Sequence, residues 1–317
     1  MHLTKILRPE KFFSFTPYMD QLLYYILYPI LWLLSKLPFW LLYGISNCCY
    51  YLLYYVVGYR KKVVMANLKM ALPGRSEDEH VRLSKLFFRH MCDLIVESLK
   101  SLTISEQELR RRFVYENLEY CNELRQKDLS TIIMCGHYAS WEWSFMMPML
   151  VPFHGIGVYK KLKNPHFDRL VRRIRGRFEG VLVPNKEIRK YLTQCKENGT
   201  KTMTMIISDQ SPKSKSFRHS FEFLGHQTPF FTGTEDMARK MNFALIYLKI
   251  EKIKRGYYKG TVVPISEDAN AEEEGSVTRK FINALEAQIH QEPQYYLWSH
   301  KRWKHHPEFQ KLMNSLA

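Results

Sequence analysis

Residues 131–150 read TIIMCGHYASWEWSFMMPML. Five uncharged residues (131–135) suit one buried strand, Gly136 and His137 break the run, and residues 141–150 continue as an apolar helical pattern. The same rhythm recurs down the chain. Short apolar runs at 155–159, 181–183, 203–208, 244–249 and 260–264 are further strand candidates, and helical patterns fall at 165–177, 186–197, 233–242 and 276–290. Strands alternating with helices predict an α/β fold with a mixed, largely parallel central sheet flanked by helices.

Upstream of this region the pattern is wholly helical. Residues 61–72, 76–101 and 105–112 read as helices, the second opened by a Ser76/Glu79 capping box and carrying an apolar stripe through Leu83, Phe87, Met91 and Leu94. Before them lies an aromatic lead: ten of the twenty tyrosines fall between Tyr18 and Tyr59. An uncharged stretch at 21–35 would span only about 22 Å as a helix, against a hydrocarbon core of roughly 30 Å. A second, at 37–59, is long enough to cross and ends in Arg60-Lys61-Lys62, which the positive-inside rule places in the cytoplasm. This lead reads either as one span near 37–59 or as an interfacial helical pair lying in one leaflet, with a hairpin packed on the domain as the plain alternative. The expected organisation is a hydrophobic membrane-associated segment at 1–59 and an α/β domain at 60–317.

The chain has 317 residues, and 47 Lys and Arg against 31 Asp and Glu leave a formal charge of +16. At this length folding buries roughly 75% of the chain's surface, so 46% hydrophobic residues exclude disorder as the main state. Fourteen glycines, fourteen prolines and six cysteines without a CxxC exclude collagen-like and disulfide-scaffold classes. The cysteines read as reduced thiols. The charge calls for an anionic partner. Nucleic acid fits the charge alone, because no zinc-finger spacing, basic zipper or aromatic RNA-binding signature accompanies it.

In α/β sheets ligands bind beyond the carboxyl ends of strands, which makes the turn CGHYASWE (135–142) the first place to search. With His137 in the turn and Glu142 in the next helix's first turn, the carboxylate could accept the Nδ1 proton. Nε2 would then be free to act as a general base. A His and a Glu five apart are also what an ordinary, satisfied loop histidine provides. Lys160, Lys161, Lys163, Arg169, Arg172, Arg173, Arg175 and Arg177 form a basic cluster, which reads as a solvated helix face or as a dock for lipid phosphates, an acidic leaflet or an acidic carrier protein. His300, Lys301, Arg302, Trp303, Lys304, His305 and His306 form a second group, read as packing or interfacial; no metal site is expected there.

The block GHYASWEW resembles the HxxxxE/D region of glycerolipid and lipid A acyltransferases, and its Gly-His-aromatic form is most similar to the late lipid A acyltransferases that add secondary acyl chains. The resemblance extends through Arg60, Asn67-Leu68, Leu72-Pro73, Tyr159, Asn164-Pro165-x-x-Asp168, Arg175, Gly180, Asp209-Gln210, Phe230-Phe231-Thr232-Gly233 and the run from Pro293 to Lys304. Ser140, where many members carry Asn, and Thr232 depart from the family pattern. The resemblance implies transfer of an acyl chain from a thioester, on acyl carrier protein or coenzyme A, to a hydroxyl of a lipid A precursor at the cytoplasmic face of the bacterial inner membrane. It implies His137 as base, Glu142 as its orienter, and Arg175, Asp209 and Gln210 in the substrate pocket. It implies no cofactor, no metal and no acyl-enzyme. Lysophospholipid or amino-acid-lipid acceptors would share this mechanism, and a non-catalytic lipid-binding protein would share the fold.

Overall fold

Strand β2 (Thr131–Cys135) is buried along its whole length at the centre of a seven-stranded sheet. The computed structural model describes residues 17–178, 180–212 and 219–316. With β1 (Phe113–Glu116), β3 (His154–Tyr159), β4 (Val181–Pro184), β5 (Thr202–Ile207), β8 (Ala244–Lys254) and β9 (Tyr257–Ser266), the strand order is β1-β9-β8-β2-β5-β3-β4. Every neighbouring pair is parallel except β8 and β9. The architecture is therefore α/β with a largely parallel sheet, as the alternation predicts. A separate hairpin pairs β6 (Ser220–Phe223) with β7 (His226–Pro229).

Four differences from the sequence reading have local causes. The long β8–β9 ribbon extends well past both predicted segments, because antiparallel pairing carries the strands beyond the buried sheet into polar residues such as Lys252 and Lys254. Strand β1, whose register pairs Phe113 with Tyr258, has too little apolar sequence to announce itself. The β6–β7 hairpin is too short for an alternating pattern to stand out. Trp143–Leu150 is a 3-10 helix and not an α-helix, and Pro148 inside it lacks the N–H an α-helix would need there.

The helices run α1 (Pro17–Lys36), α2 (Phe39–Tyr51), α3 (Lys61–Ala71), α4 (Glu77–Lys100), α5 (Glu106–Arg112), α6 (Glu119–Gln126), α7 (Pro165–Arg175), α8 (Ile188–Glu197), α9 (Gly233–Met241), α10 (Ser276–Gln291) and α11 (Pro307–Ser315). Helix α4 begins with the expected Ser76/Glu79 capping box. Helix α10 lies across β8 and β9 and sends Leu285 against Gly136, where an added Cβ would come within 2.7 Å of it.

The aromatic lead is a helical hairpin, and this corrects the reading of 37–59 as a span. Helix α2 starts after Pro38 and gives way to a π-helical stretch, Leu52–Val57, which ends at left-handed Gly58. No helix among the described residues is long and apolar enough to cross a membrane. Leu42, Ser46, Tyr50 and Tyr54 are buried, and polar contacts tie the hairpin to α4. Ser46 Oγ donates to Asp93 Oδ1 (2.7 Å), Tyr43 OH donates to Glu97 Oε1 (2.9 Å), and Lys100 Nζ donates to the Ser35 and Leu37 carbonyls at the hairpin bend (3.0 and 2.9 Å). The opposite side leaves Leu22, Tyr25, Ile26, Ile30, Leu33, Trp40, Tyr55, Val56 and Val57 exposed.

Candidate active site

Strands β2 and β5 are parallel neighbours, and Cys135 is the register partner of Ile207. Two residues beyond that pair stand His137 and Asp209, so the sheet itself sets them side by side. Asp209 Oδ1 lies 2.6 Å from His137 Nδ1, and Asp209 Oδ2 accepts the His137 backbone N–H at 2.9 Å. One carboxylate thus grips both ring and backbone. The Asp209 side chain is 3% exposed and that of His137 12%. With Nδ1–H donated to Asp209, the lone pair sits on Nε2, where the Gln210 amide donates at 3.2 Å.

The electrostatics follow from this contact. Burial pulls the His137 imidazolium down, but Asp209, by charge and hydrogen bond, and then Glu142 by charge, more than offset it and leave its pKa raised above 6.5. Burial likewise pushes Asp209 up. His137, the backbone N–H and the Arg302 charge outweigh it, so the carboxyl is held below its ordinary range.

Glu142 does not make the contact expected of it. Its carboxylate is gripped by Arg175, whose Nε donates to Oε2 at 2.8 Å and whose Nη2 donates to Oε1. The physical reason is the turn: Ala139 takes a left-handed conformation (φ 49°), and Glu142 comes only just before the 3-10 helix, while β5 already delivers Asp209 to Nδ1. Glu142 and Arg175 instead form a bidentate pair facing the same cavity as His137. That cavity, of about 440 Å³, is lined by His137, Trp141, Arg175 and Gln210 together with apolar side chains that include Val158, Ile206, Phe231 and Met237. Of the five expected site residues His137, Arg175 and Gln210 line this cavity, while Asp209 and Glu142 stand behind it, bound to His137 and Arg175, and Asp209 makes the contact with Nδ1 that spacing gives to Glu142.

The run from Pro293 to Lys304, which carries part of the family resemblance and overlaps the basic group read as packing or interfacial only from His300 on, supports this turn directly. Ala139 N–H donates to the Tyr295 carbonyl (3.0 Å), Leu297 N–H donates to the His137 carbonyl (3.1 Å), and Tyr138 bridges Tyr296. Asn67 Nδ2 donates to the carbonyls of Trp298 (2.6 Å) and His300 (2.7 Å), and Arg60 Nη1 to that of Ser299 (3.0 Å). Burial, then the Arg302 charge, press the His300 pKa down to about 4, with Asp209 and His137 among its electrostatic neighbours. Only the tertiary contact could reveal this, since these residues are more than 80 positions from Asp209.

Other expected residues have structural work. Asp168 accepts from Leu162 N–H (2.8 Å) and Tyr159 OH (3.2 Å), and Asn164 caps α7. The hydroxyl of Ser140 is buried without a partner among the described residues. All six cysteines are free, and burial pushes the Cys135 thiol beside the site far above its ordinary range. His306 does not join His300: its ring meets His226, and together with Glu308 their ligating atoms lie within 4.8 Å of one another, a grouping that sequence spacing does not show.

Comparison with known proteins gives the family of the chain. The family of bacterial lipid A biosynthesis acyltransferases matches residues 13–305. The Lipid A biosynthesis lauroyltransferase of Escherichia coli K12 is 23% identical over 282 residues, covering 88% of this chain and 90% of that protein. The palmitoleoyltransferase of the same organism and a Lipid A biosynthesis acyltransferase of Shigella flexneri are each 21% identical over 281 residues, with the same coverage. With the family matched over nearly the whole described chain and a histidine–carboxylate pair at its strand ends, this protein belongs to the bacterial lipid A biosynthesis acyltransferases and is an acyltransferase enzyme.

Proposed function

We propose that this protein transfers a fatty acyl chain from an acyl thioester, on acyl carrier protein or coenzyme A, to a hydroxyl of a lipid A precursor, working from the membrane surface. The observation that carries the reading is the His137 Nδ1–Asp209 Oδ1 contact of 2.6 Å, with His137 lining a cavity walled by both polar and apolar side chains.

The acceptor hydroxyl displaces the Gln210 amide from Nε2 and gives its proton to that nitrogen as its oxygen attacks the thioester carbonyl carbon. Asp209 stabilises the imidazolium. The carbonyl oxygen becomes an oxyanion, and Arg175, whose Nη1 is not used in the pair with Glu142, is placed to receive it. Collapse breaks the carbon–sulfur bond, and the thiolate takes the proton back from His137 Nε2. No thiol nucleophile is required.

Membrane association is supported by the exposed apolar side of the α1–α2 hairpin, flanked by Lys36, Arg60, Lys61 and Lys62, which suits an interfacial helical pair on an anionic leaflet at the cytoplasmic side of the inner membrane. The test is total-lipid mass spectrometry of host cells with and without the gene, complemented by wild type or His137→Ala. Loss of one acyl chain from lipid A, restored by wild type alone, supports the reading. Unchanged lipid A with accumulation of a lysophospholipid, or of an amino-acid lipid lacking one acyl chain, moves the acceptor elsewhere.

A further inference from the structure

A second cavity, larger than the one that holds His137, opens among the described residues. It is a groove of about 970 Å³ between α7 and the edge strand β4, and the ring of Tyr159 is a wall of both. Four cations line it, Lys161, Arg169, Arg172 and Arg173. The three arginines lie one helical turn apart or adjacent on α7 and are exposed; among the described residues no carboxylate comes within ion-pair distance of any of them. Arg173 instead takes a hydrogen bond partner without charge, donating to Tyr28 OH at 2.8 Å. Two carboxylates border the groove, Asp168 and Glu187. Asp168 is buried and already engaged by Leu162 N–H and Tyr159 OH, so it presents little acceptor capacity to the groove.

We infer that this groove binds a phosphate ester carried by one of the two substrates while the acyl transfer occurs at His137. A row of guanidinium groups that, among the described residues, has no carboxylate at ion-pair distance matches phosphate oxygens bidentately, which ammonium groups do not. Helix α7 makes the coupling: it presents Arg169, Arg172 and Arg173 to the groove and, at its last residue, Arg175 to the reaction cavity. A molecule with a phosphate at one end and its reacting atom at the other would lie along this helix past Tyr159. The inference rests on the acyl-transfer reading. Its chemistry fits two sources, a phosphate on the glycolipid acceptor or the phosphopantetheine arm of the donor.

The experiment compares wild type with Arg169→Gln/Arg172→Gln, and with the corresponding double Lys variant, in neutral detergent micelles. KM is measured for a phosphorylated glycolipid acceptor and for the same acceptor after phosphatase treatment. It is measured likewise for acyl-carrier-protein or coenzyme A thioester and for the phosphate-free N-acetylcysteamine thioester. Calorimetric titration of the phosphorylated acceptor and of coenzyme A reads binding without turnover. The inference expects KM to rise tenfold or more for one phosphorylated substrate, with a matching loss of calorimetric affinity. The advantage of that substrate over its phosphate-free form should collapse, and the Lys variant should fall in between. A rise confined to the acceptor assigns the acceptor phosphate; one confined to the donor assigns the phosphopantetheine arm. Equal changes on phosphorylated and phosphate-free forms, or no change, overturn the inference. A wild-type protein without transfer activity removes the functional reading instead, and calorimetry then decides the groove alone.

Discussion

Asp209 meets His137 because each follows by two residues a member of the register pair Cys135–Ile207. Two parallel strands ending at the same level thus bring together residues 72 positions apart, and they do so without a helix face or a local motif. Replacing His137 with Ala should lower the transfer rate by about 10²–10⁴, the range usual for a general base, and should also lower the melting temperature, because the buried Asp209 carboxylate loses its ring partner.

The pH profile separates Asp209 from a merely structural neighbour. In the proposed mechanism the base acts as the neutral imidazole, and the His137 pKa is raised, so the acid limb of kcat/KM should lie above pH 6.5. In Asp209→Asn the raising charge is gone and burial remains, so any residual activity should show that limb at lower pH. The linked stability runs in two windows. The His137 contribution is fully present below its ordinary value of 6.5 and is lost as pH rises through the raised folded pKa. The Asp209 contribution is present above its ordinary value of 3.8 and is lost as pH falls through the lowered one. An acid limb that stays in place in Asp209→Asn would assign control of His137 to another group.

Glu142 acts on Arg175 first and on His137 only through its charge. Glu142→Gln should therefore lower kcat more than it raises KM, by roughly 10- to 100-fold for a loosened oxyanion donor, and should move the acid limb less than Asp209→Asn does. Steady-state kinetics of the two variants side by side check this. An equal or larger limb shift in Glu142→Gln would make Glu142 the principal partner after all.

Asn67 holds the carbonyls of Trp298 and His300, and the segment they belong to pins the turn carrying His137. Asn67→Ala leaves the buried Trp298 carbonyl without its donor, at roughly 1–3 kcal/mol for each such group. Denaturant titration should show that loss, with kcat falling in parallel although Asn67 is remote from the cavity.

Glu97 is a buried carboxyl, and burial pushes its pKa up to about 7, with Lys252 opposing and Asp93 reinforcing the rise. A raised folded pKa means stability that is present below the ordinary value of 4.5 and lost as pH climbs through 7. At about 1.4 kcal/mol per unit, the loss across that window is on the order of 3 kcal/mol. Glu97→Gln leaves one of the hydroxyls of Tyr43 and Tyr258 donating to the amide oxygen and lets the other accept from the amide N–H, and it removes the proton linkage. Its stability should be flatter between pH 4.5 and 7 than that of wild type, as measured by denaturant midpoint.

The hairpin's exposed side offers a surface test. Leu33→Glu together with Val56→Glu changes two side chains that are 60% and 76% exposed. Co-sedimentation with anionic vesicles should drop severalfold while thermal melting stays within a few degrees. Undiminished vesicle binding would place the membrane contact elsewhere.

The sequence by itself determined the alternation of strands and helices, the strand that ends at Gly136-His137, and the capping of α4, because these rest on local periodicity and on residues within one turn of each other. It also brought His137, Glu142, Arg175, Asp209 and Gln210 into one short set of site residues. Which carboxylate holds His137 was decided only by the register of β2 on β5, since spacing within a turn says nothing about a residue arriving on a neighbouring strand. Whether the apolar stretch at 37–59 crosses a bilayer or lies along the protein was likewise decided at a distance. Ser46 and Tyr43 find their partners in Asp93 and Glu97, 47 and 54 residues away. Hydropathy along a chain counts apolar residues, but it cannot see the buried polar partners that hold one face of a helix against a fold.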